Sequence, residues 1–205
     1  SAGSGKTRVL TERILHILSA TKKESVLALT FTNKAAEEMV ERLSGSNVDN
    51  DRVWIGTIHS VAQRILDQYG HTIGLPSNVQ IYERDKDRME VFLESLRDDG
   101  VDIDSYLNID DGSEKKTRER NLQTYMDAFS TIKREMLTEH DVVSLFPNSP
   151  GVWKVYEDYQ EALLNSGGID YDDILRYAHR ILTTQDWLGD IYRAKYRHVC
   201  VDEAQ

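Results

Sequence analysis

Ser1-Ala2-Gly3-Ser4-Gly5-Lys6-Thr7 runs directly into Arg8-Val9-Leu10-Thr11-Glu12-Arg13-Ile14-Leu15-His16-Ile17-Leu18, where apolar residues recur at near-helical spacing. A glycine-rich turn that closes on Gly-Lys-Thr and opens a helix is the pattern of a phosphate-binding loop, G-x-x-x-x-G-K-[ST]. Its first glycine would lie one residue before Ser1, so the chain is expected to be part of a longer one. Gly3 and Gly5 let the backbone bend until its N–H groups face phosphate oxygens, and the helix N-terminus adds partial positive charge. Ala2, Gly3, Ser4 and Gly5 would line the phosphates, with Lys6 reaching the β- and γ-phosphates and the Thr7 hydroxyl ligating Mg²⁺. Arg8 fits a nucleotide contact and a solvated helix face equally well.

The other end of the chain carries the complement. Val199-Cys200-Val201 is a short apolar strand that runs into Asp202-Glu203-Ala204-Gln205. An acidic pair at a strand's end beside a phosphate loop would hold the metal through Asp202 and polarise an attacking water through Glu203. Gln205 is a candidate sensor of the γ-phosphate. The expected cofactors are ATP and Mg²⁺.

Between the two motifs, Ser25–Phe31 and Arg52–Thr57 read as buried strands. Each is followed by a helix, the first capped by Asn33 and the second running through Leu66 and Tyr69. Alternating strands and helices give a parallel α/β sheet. The alternation then stops, and Arg84–Leu164 reads helix after helix, with breaks at Gly100, Asp110–Ser113 and Pro147–Gly151. Ser166-Gly167-Gly168 reads as a return hinge, Asp170 as the cap of a further helix, and His198–Val201 as another buried strand. The expected fold is α/β, a P-loop parallel sheet with an all-helical insertion. Residues 1–70 and 167–205 would form the sheet domain and 71–166 the inserted subdomain.

Composition narrows the class. The chain has 205 residues, 29% charged, with a formal net charge of −10. That balance argues at first against nucleic acid. Residues 67–166, however, hold 21 of the 35 Asp/Glu and 11 of the 25 Lys/Arg, leaving 14 of each elsewhere. The motif-bearing segments are therefore neutral and a polyanion can dock on a local surface there. The single cysteine, Cys200, excludes an intrachain disulfide and reads as a small core residue. No apolar run approaches a membrane span, so no membrane partner is expected. Phe31, at the end of an apolar strand, suits the core as well as a binding surface. Thr57 and Ser60 suit helix caps as well as ligand contacts, and His59 has no second His or Cys at metal-ligand spacing. The three tryptophans and the Tyr156/Tyr159 pair read as packing.

Four blocks then carry a resemblance: Ala2–Leu10, Leu29-Thr30-Phe31-Thr32-Asn33-Lys34-Ala35-Ala36-Glu37-Glu38-Met39, Gly56-Thr57-Ile58-His59-Ser60 and Asp202-Glu203-Ala204-Gln205. In this order and at about this spacing they resemble the motifs of UvrD/Rep/PcrA-like superfamily 1A DNA helicases, whose fold is RecA-like. Ile169-Asp170-Tyr171-Asp172-Asp173-Ile174-Leu175 resembles the family's return segment from its helical insertion. The resemblance implies an ATP-dependent helicase moving 3′ to 5′ on single-stranded DNA and unwinding duplex at single-strand/duplex junctions, in repair or replication, in the bacterial cytoplasm or nucleoid. It also implies that Phe31, Thr32, Asn33, Thr57, His59 and Ser60 face DNA, and that a second motor domain of the same chain supplies arginines to the transferring phosphoryl group. Without that domain, this polypeptide is expected to bind ATP·Mg²⁺ weakly and to hydrolyse it poorly. The motor of a recombination helicase–nuclease, and an ATP-gated nucleic-acid-binding module, are the rival readings.

Overall fold

The computed structural model describes residues 5–46, 49–109, 115–147 and 151–202. They form two compact units, one from residues up to 68 together with those from 178 onward, the other from 69–177.

The first unit is built on three parallel strands: β1 (Ser25–Thr30), β2 (Val53–Thr57) and β5 (Tyr196–Val201), in the order β2-β1-β5. The helices of this unit are α1 (Lys6–Ala20), α2 (Asn33–Ser44), α3 (Ile58–Tyr69) and α10 (Asp186–Lys195). Side chains alternate across a strand, so β1 sends Val26 and Ala28 to one face. There they are fully buried with Ile14 and Leu18 of α1 and with Met39 and Leu43 of α2. On the opposite face the Trp54 and Tyr196 rings lie tilted with centroids 5.7 Å apart, and the Arg64 guanidinium is 5.0 Å from the Trp54 ring centroid.

Two expectations fail here. The last strand is not buried: β5 begins at Tyr196, its side chains alternate between half-buried and exposed, and Val199 is 57% exposed. It pairs only with β1 among the described residues, so one margin stays open. Trp187, read as packing, is half exposed.

Arg52 closes the connection that leads into β1. Its guanidinium donates to the carbonyls of Leu18 and Glu24 at 3.1 and 2.7 Å and to the Thr21 hydroxyl at 2.8 Å. These acceptors sit at the C-terminal turn of α1 and the start of β1, where unsatisfied carbonyls favour a cation.

The second unit holds α4 (Asp85–Asp98), α5 (Ile103–Tyr106), α6 (Lys115–Arg134), α7 (Glu139–Leu145) and α8 (Val152–Asn165). Two short strands, β3 (Gln80–Tyr82) and β4 (Gly168–Asp170), pair in parallel, and α9 (Tyr171–Thr184) follows the second. Phe92, Phe129, Tyr156 and Tyr159 form its buried aromatic centre, with the Phe129 and Tyr159 rings stacked at 4.7 Å.

Asp170 caps α9 as expected, and reciprocally: its carboxylate accepts from the Asp173 N–H at 3.0 Å while Asp173 accepts from the Asp170 N–H at 3.2 Å. Both carboxylates are buried and share the Lys133 ammonium, at 2.6 and 2.8 Å. Burial opposes the Asp170 charge, but Lys133 and hydrogen bonds from Lys133 and Tyr159 outweigh it and hold the carboxyl below its usual range. Burial pushes the neighbouring Asp173 up.

Candidate active site

All the described candidate residues lie at one edge of the first unit. Parallel register brings the strand ends together: Thr30 of β1 lies beside Thr57 of β2, and Leu29 beside Val201 of β5. The loops beyond these carboxyl ends are where ligands of open parallel sheets bind.

Gly5 takes the N-cap of α1 with φ +76°, a left-handed conformation that glycine adopts at little cost. No side chain caps α1 among the described residues, so its first-turn N–H groups point toward the space an anion would occupy. Lys6 and Arg8 follow, both exposed. The Thr7 hydroxyl donates to the Asp202 carboxylate at 3.3 Å, across 195 residues of sequence. Asp202 is 8% exposed, and its N–H extends the β5 ladder by donating to Leu29 O at 2.9 Å. The first described helix and the residue after β5 therefore meet at Thr7 and Asp202. Ala2, Gly3, Ser4, Glu203 and Gln205 lie outside the described residues.

The pair suits Mg²⁺. A hydroxyl and a carboxylate form a hard, oxygen-only set, and Mg²⁺ commonly takes one or two protein oxygens and completes its shell with phosphate and water. No group of three His, Cys, Asp or Glu among the described residues could hold a metal without such outside ligands.

On the neighbouring loops, Phe31 is 64% exposed. The ring stands outside the core, so the packing reading of this residue is lost. Thr32, not Asn33, caps α2: its extended backbone turns Oγ1 to accept from the Ala35 N–H at 3.2 Å, and Asn33 is the first residue of the helix, with its side chain exposed. Thr57 does the same for α3, accepting from the Ser60 N–H at 3.1 Å while the Ser60 hydroxyl donates back to Thr57 O at 2.9 Å. His59 lies between them, half-buried. The capping reading of Thr57 and Ser60 is thus realised in the geometry, and it fixes both side chains at the same edge as Phe31.

Gly56 lets this turn close. A Cβ there would stand 2.7 Å from the Ser60 hydroxyl and 3.3 Å from Val61. In the sequence, the sign of this is a glycine inside a strand four residues before a serine, a mark of close backbone approach.

The sequence profile of the UvrD/REP helicase N-terminal domain matches residues 1–205. Along its whole length the chain is 35% identical to the ATP-dependent DNA helicase UvrD1 of Mycobacterium tuberculosis, covering 26% of that protein. It is 33% identical to DNA helicase II of Salmonella typhimurium and 33% identical to the ATP-dependent DNA helicase PcrA of Staphylococcus aureus, covering 27% of each. The chain spans about a quarter of the length of these relatives.

Proposed function

The chain belongs to the UvrD/REP helicase N-terminal domain family, and from that premise we propose that it is the nucleotide-binding first motor domain of an ATP-dependent DNA helicase. The observation that carries this reading is the Thr7–Asp202 hydrogen bond at the sheet edge that also presents Phe31. One edge with an anion-ready helix start, a metal-suited oxygen pair and an exposed aromatic supports a coupling of ATP to a nucleic-acid strand.

In the proposed mechanism the N-terminus of α1, with Ala2–Gly5, cradles the phosphates. Lys6 neutralises charge on the β- and γ-phosphates, and Thr7 and Asp202 hold Mg²⁺. When bound, the metal offsets charge on the transferring phosphoryl group. Glu203 takes the proton of the attacking water, Gln205 reads the γ-phosphate, and Arg8 lies against the nucleotide. Phe31 stacks on a base without regard to sequence, which suits a translocating motor. Thr32, Asn33, Thr57, His59 and Ser60 hold the DNA backbone by hydrogen bonds.

The sheet-bearing unit is read as the motor, and the helical unit as its insertion. A second motor domain of the same protein would complete the phosphoryl-transfer site. Movement 3′ to 5′, opening of duplex at junctions, a role in repair or replication, and action in the bacterial cytoplasm follow from the same reading. Among the described residues no helix is long and apolar enough to cross a membrane.

Two substitutions in the full protein test the assignment. Lys6→Ala should lower kcat for ATP hydrolysis roughly 10²–10³-fold, the range for losing a charge-stabilising donor, while sparing single-stranded DNA affinity. Phe31→Ala should weaken that affinity roughly 5- to 150-fold, from ~1–3 kcal/mol of stacking, while sparing nucleotide binding. Silence of both variants would refute the reading.

A further inference from the structure

Among the described residues, β2 lies at one margin of its sheet and bonds only β1, so its outer backbone edge has no strand partner. Natural edge strands are usually blunted by a lysine, a proline or a bulge. Val53-Trp54-Ile55-Gly56-Thr57 has none of these. Beside it runs a groove of about 250 Å³, lined by Val53, Trp54 and Ile55 and by Val40, Leu43 and Ser44 of α2. Successive strand side chains point to opposite faces. Val53 and Ile55 pack on the α2 side and Trp54 turns its ring the other way, so Trp54 meets the groove through its backbone. The groove therefore offers main-chain N–H and C=O groups beside an apolar wall, in which Val40 is 49% exposed.

The exposed charges that flank its lining segments in sequence are mainly acidic, although Arg64 lies over the Trp54 ring. Glu37 and Glu41 flank Val40 on α2, and Asp49 and Asp51 precede β2, all of them exposed. The nearby Arg42 is held by Glu38 at 2.5 Å. A helix laid in the groove would leave the strand's backbone groups unmatched, whereas an added strand would satisfy them. We propose that this edge takes up an extended segment of a partner protein as a further β-strand, with an apolar residue in the groove and basic residues at its ends.

The test uses the full protein and a fluorescein-labelled probe, acetyl-Lys-Lys-Val-Thr-Val-Thr-Val-Lys-Lys-amide, followed by anisotropy. Three comparisons accompany it: the same peptide with glutamate ends, the same peptide with alternate backbone nitrogens methylated, and the Val40→Glu protein. Saturable binding should weaken at least about tenfold in each. Val40 is half exposed, so Val40→Glu should leave circular dichroism and nucleotide binding unchanged, which separates lost docking from lost folding. Absence of binding to the unmodified protein overturns the proposal, as does affinity indifferent to methylation or to Val40→Glu. Sedimentation showing a dimer that Val40→Glu dissociates would assign the edge to a second copy of the chain and equally overturn it.

Discussion

Lys133 occupies a position where the helical pattern calls for a hydrophobe. Leu122, Met126 and Phe129 mark the buried stripe of α6, and the next step along it is Lys133, whose side chain is fully buried between two carboxylates. The lysine on that stripe was visible in the sequence. Its partners, 37 and 40 residues away, were not. Lys133→Met should destabilise the helical unit by about 3–5 kcal/mol at neutral pH, the usual cost of stranding buried charge.

The pH dependence has a definite sign. With Lys133 present, Asp170 is held below its unfolded value of about 3.9, so its contribution is present above that pH and fades as the pH falls through the folded value. Without the ammonium, Asp170 keeps the Arg88 guanidinium at 3.2 Å, while burial raises Asp173 further, and the variant takes up protons on folding. The penalty should therefore shrink on acidification, which urea titrations at pH 7 and pH 4.5 would show. A penalty that grows toward low pH would contradict this account of the cluster.

At the scale of elements, the longer pieces were legible because periodicity is a local property. The helix after the phosphate loop, the apolar run that becomes β1 and the helices of the 84–164 stretch all follow from side-chain spacing. The strands β3 and β4 did not, since three residues are too few to show a period and their pairing is a property of the fold. Gly168 records that pairing. A Cβ there would fall 2.3 Å from Tyr82 Cε2 and 2.9 Å from the Gln80 carbonyl oxygen. The ring can turn aside, but the backbone oxygen cannot. Gly168→Ala should cost about 1–3 kcal/mol, as overpacking does. Faster hydrogen exchange at Ile81 and Ile169 would report it, and unchanged protection would show that the strands part without cost.

For the molecule as a whole, the motifs could be ordered from sequence and their meeting anticipated, but the identity of the marginal strands could not be. The exposed face of β5 and the edge of β2 left open among the described residues depend on strand order, which no local pattern encodes. Charge was legible globally: the acidic excess lies in residues 67–166. On the proposed function, that excess repels a nucleic acid through solvent. Neutralising Glu94, Asp98 and Asp99, all exposed, to Gln, Asn and Asn should raise single-stranded DNA affinity at low salt. The gain should disappear by about 1 M salt, where screening acts within ~3 Å. A gain that survives high salt would point to a direct contact instead.

On the proposed function, Arg52 would make the chemistry at one rim of the sheet answerable to the other. A lysine there would keep the charge yet lose the fork that grips several acceptors at once. The helix carrying Lys6 and Thr7 would then be tethered less firmly at its far end. Such an exchange, remote from any phosphate, would blur the alignment of Thr7 with Asp202 and slow turnover more than it weakens nucleotide affinity.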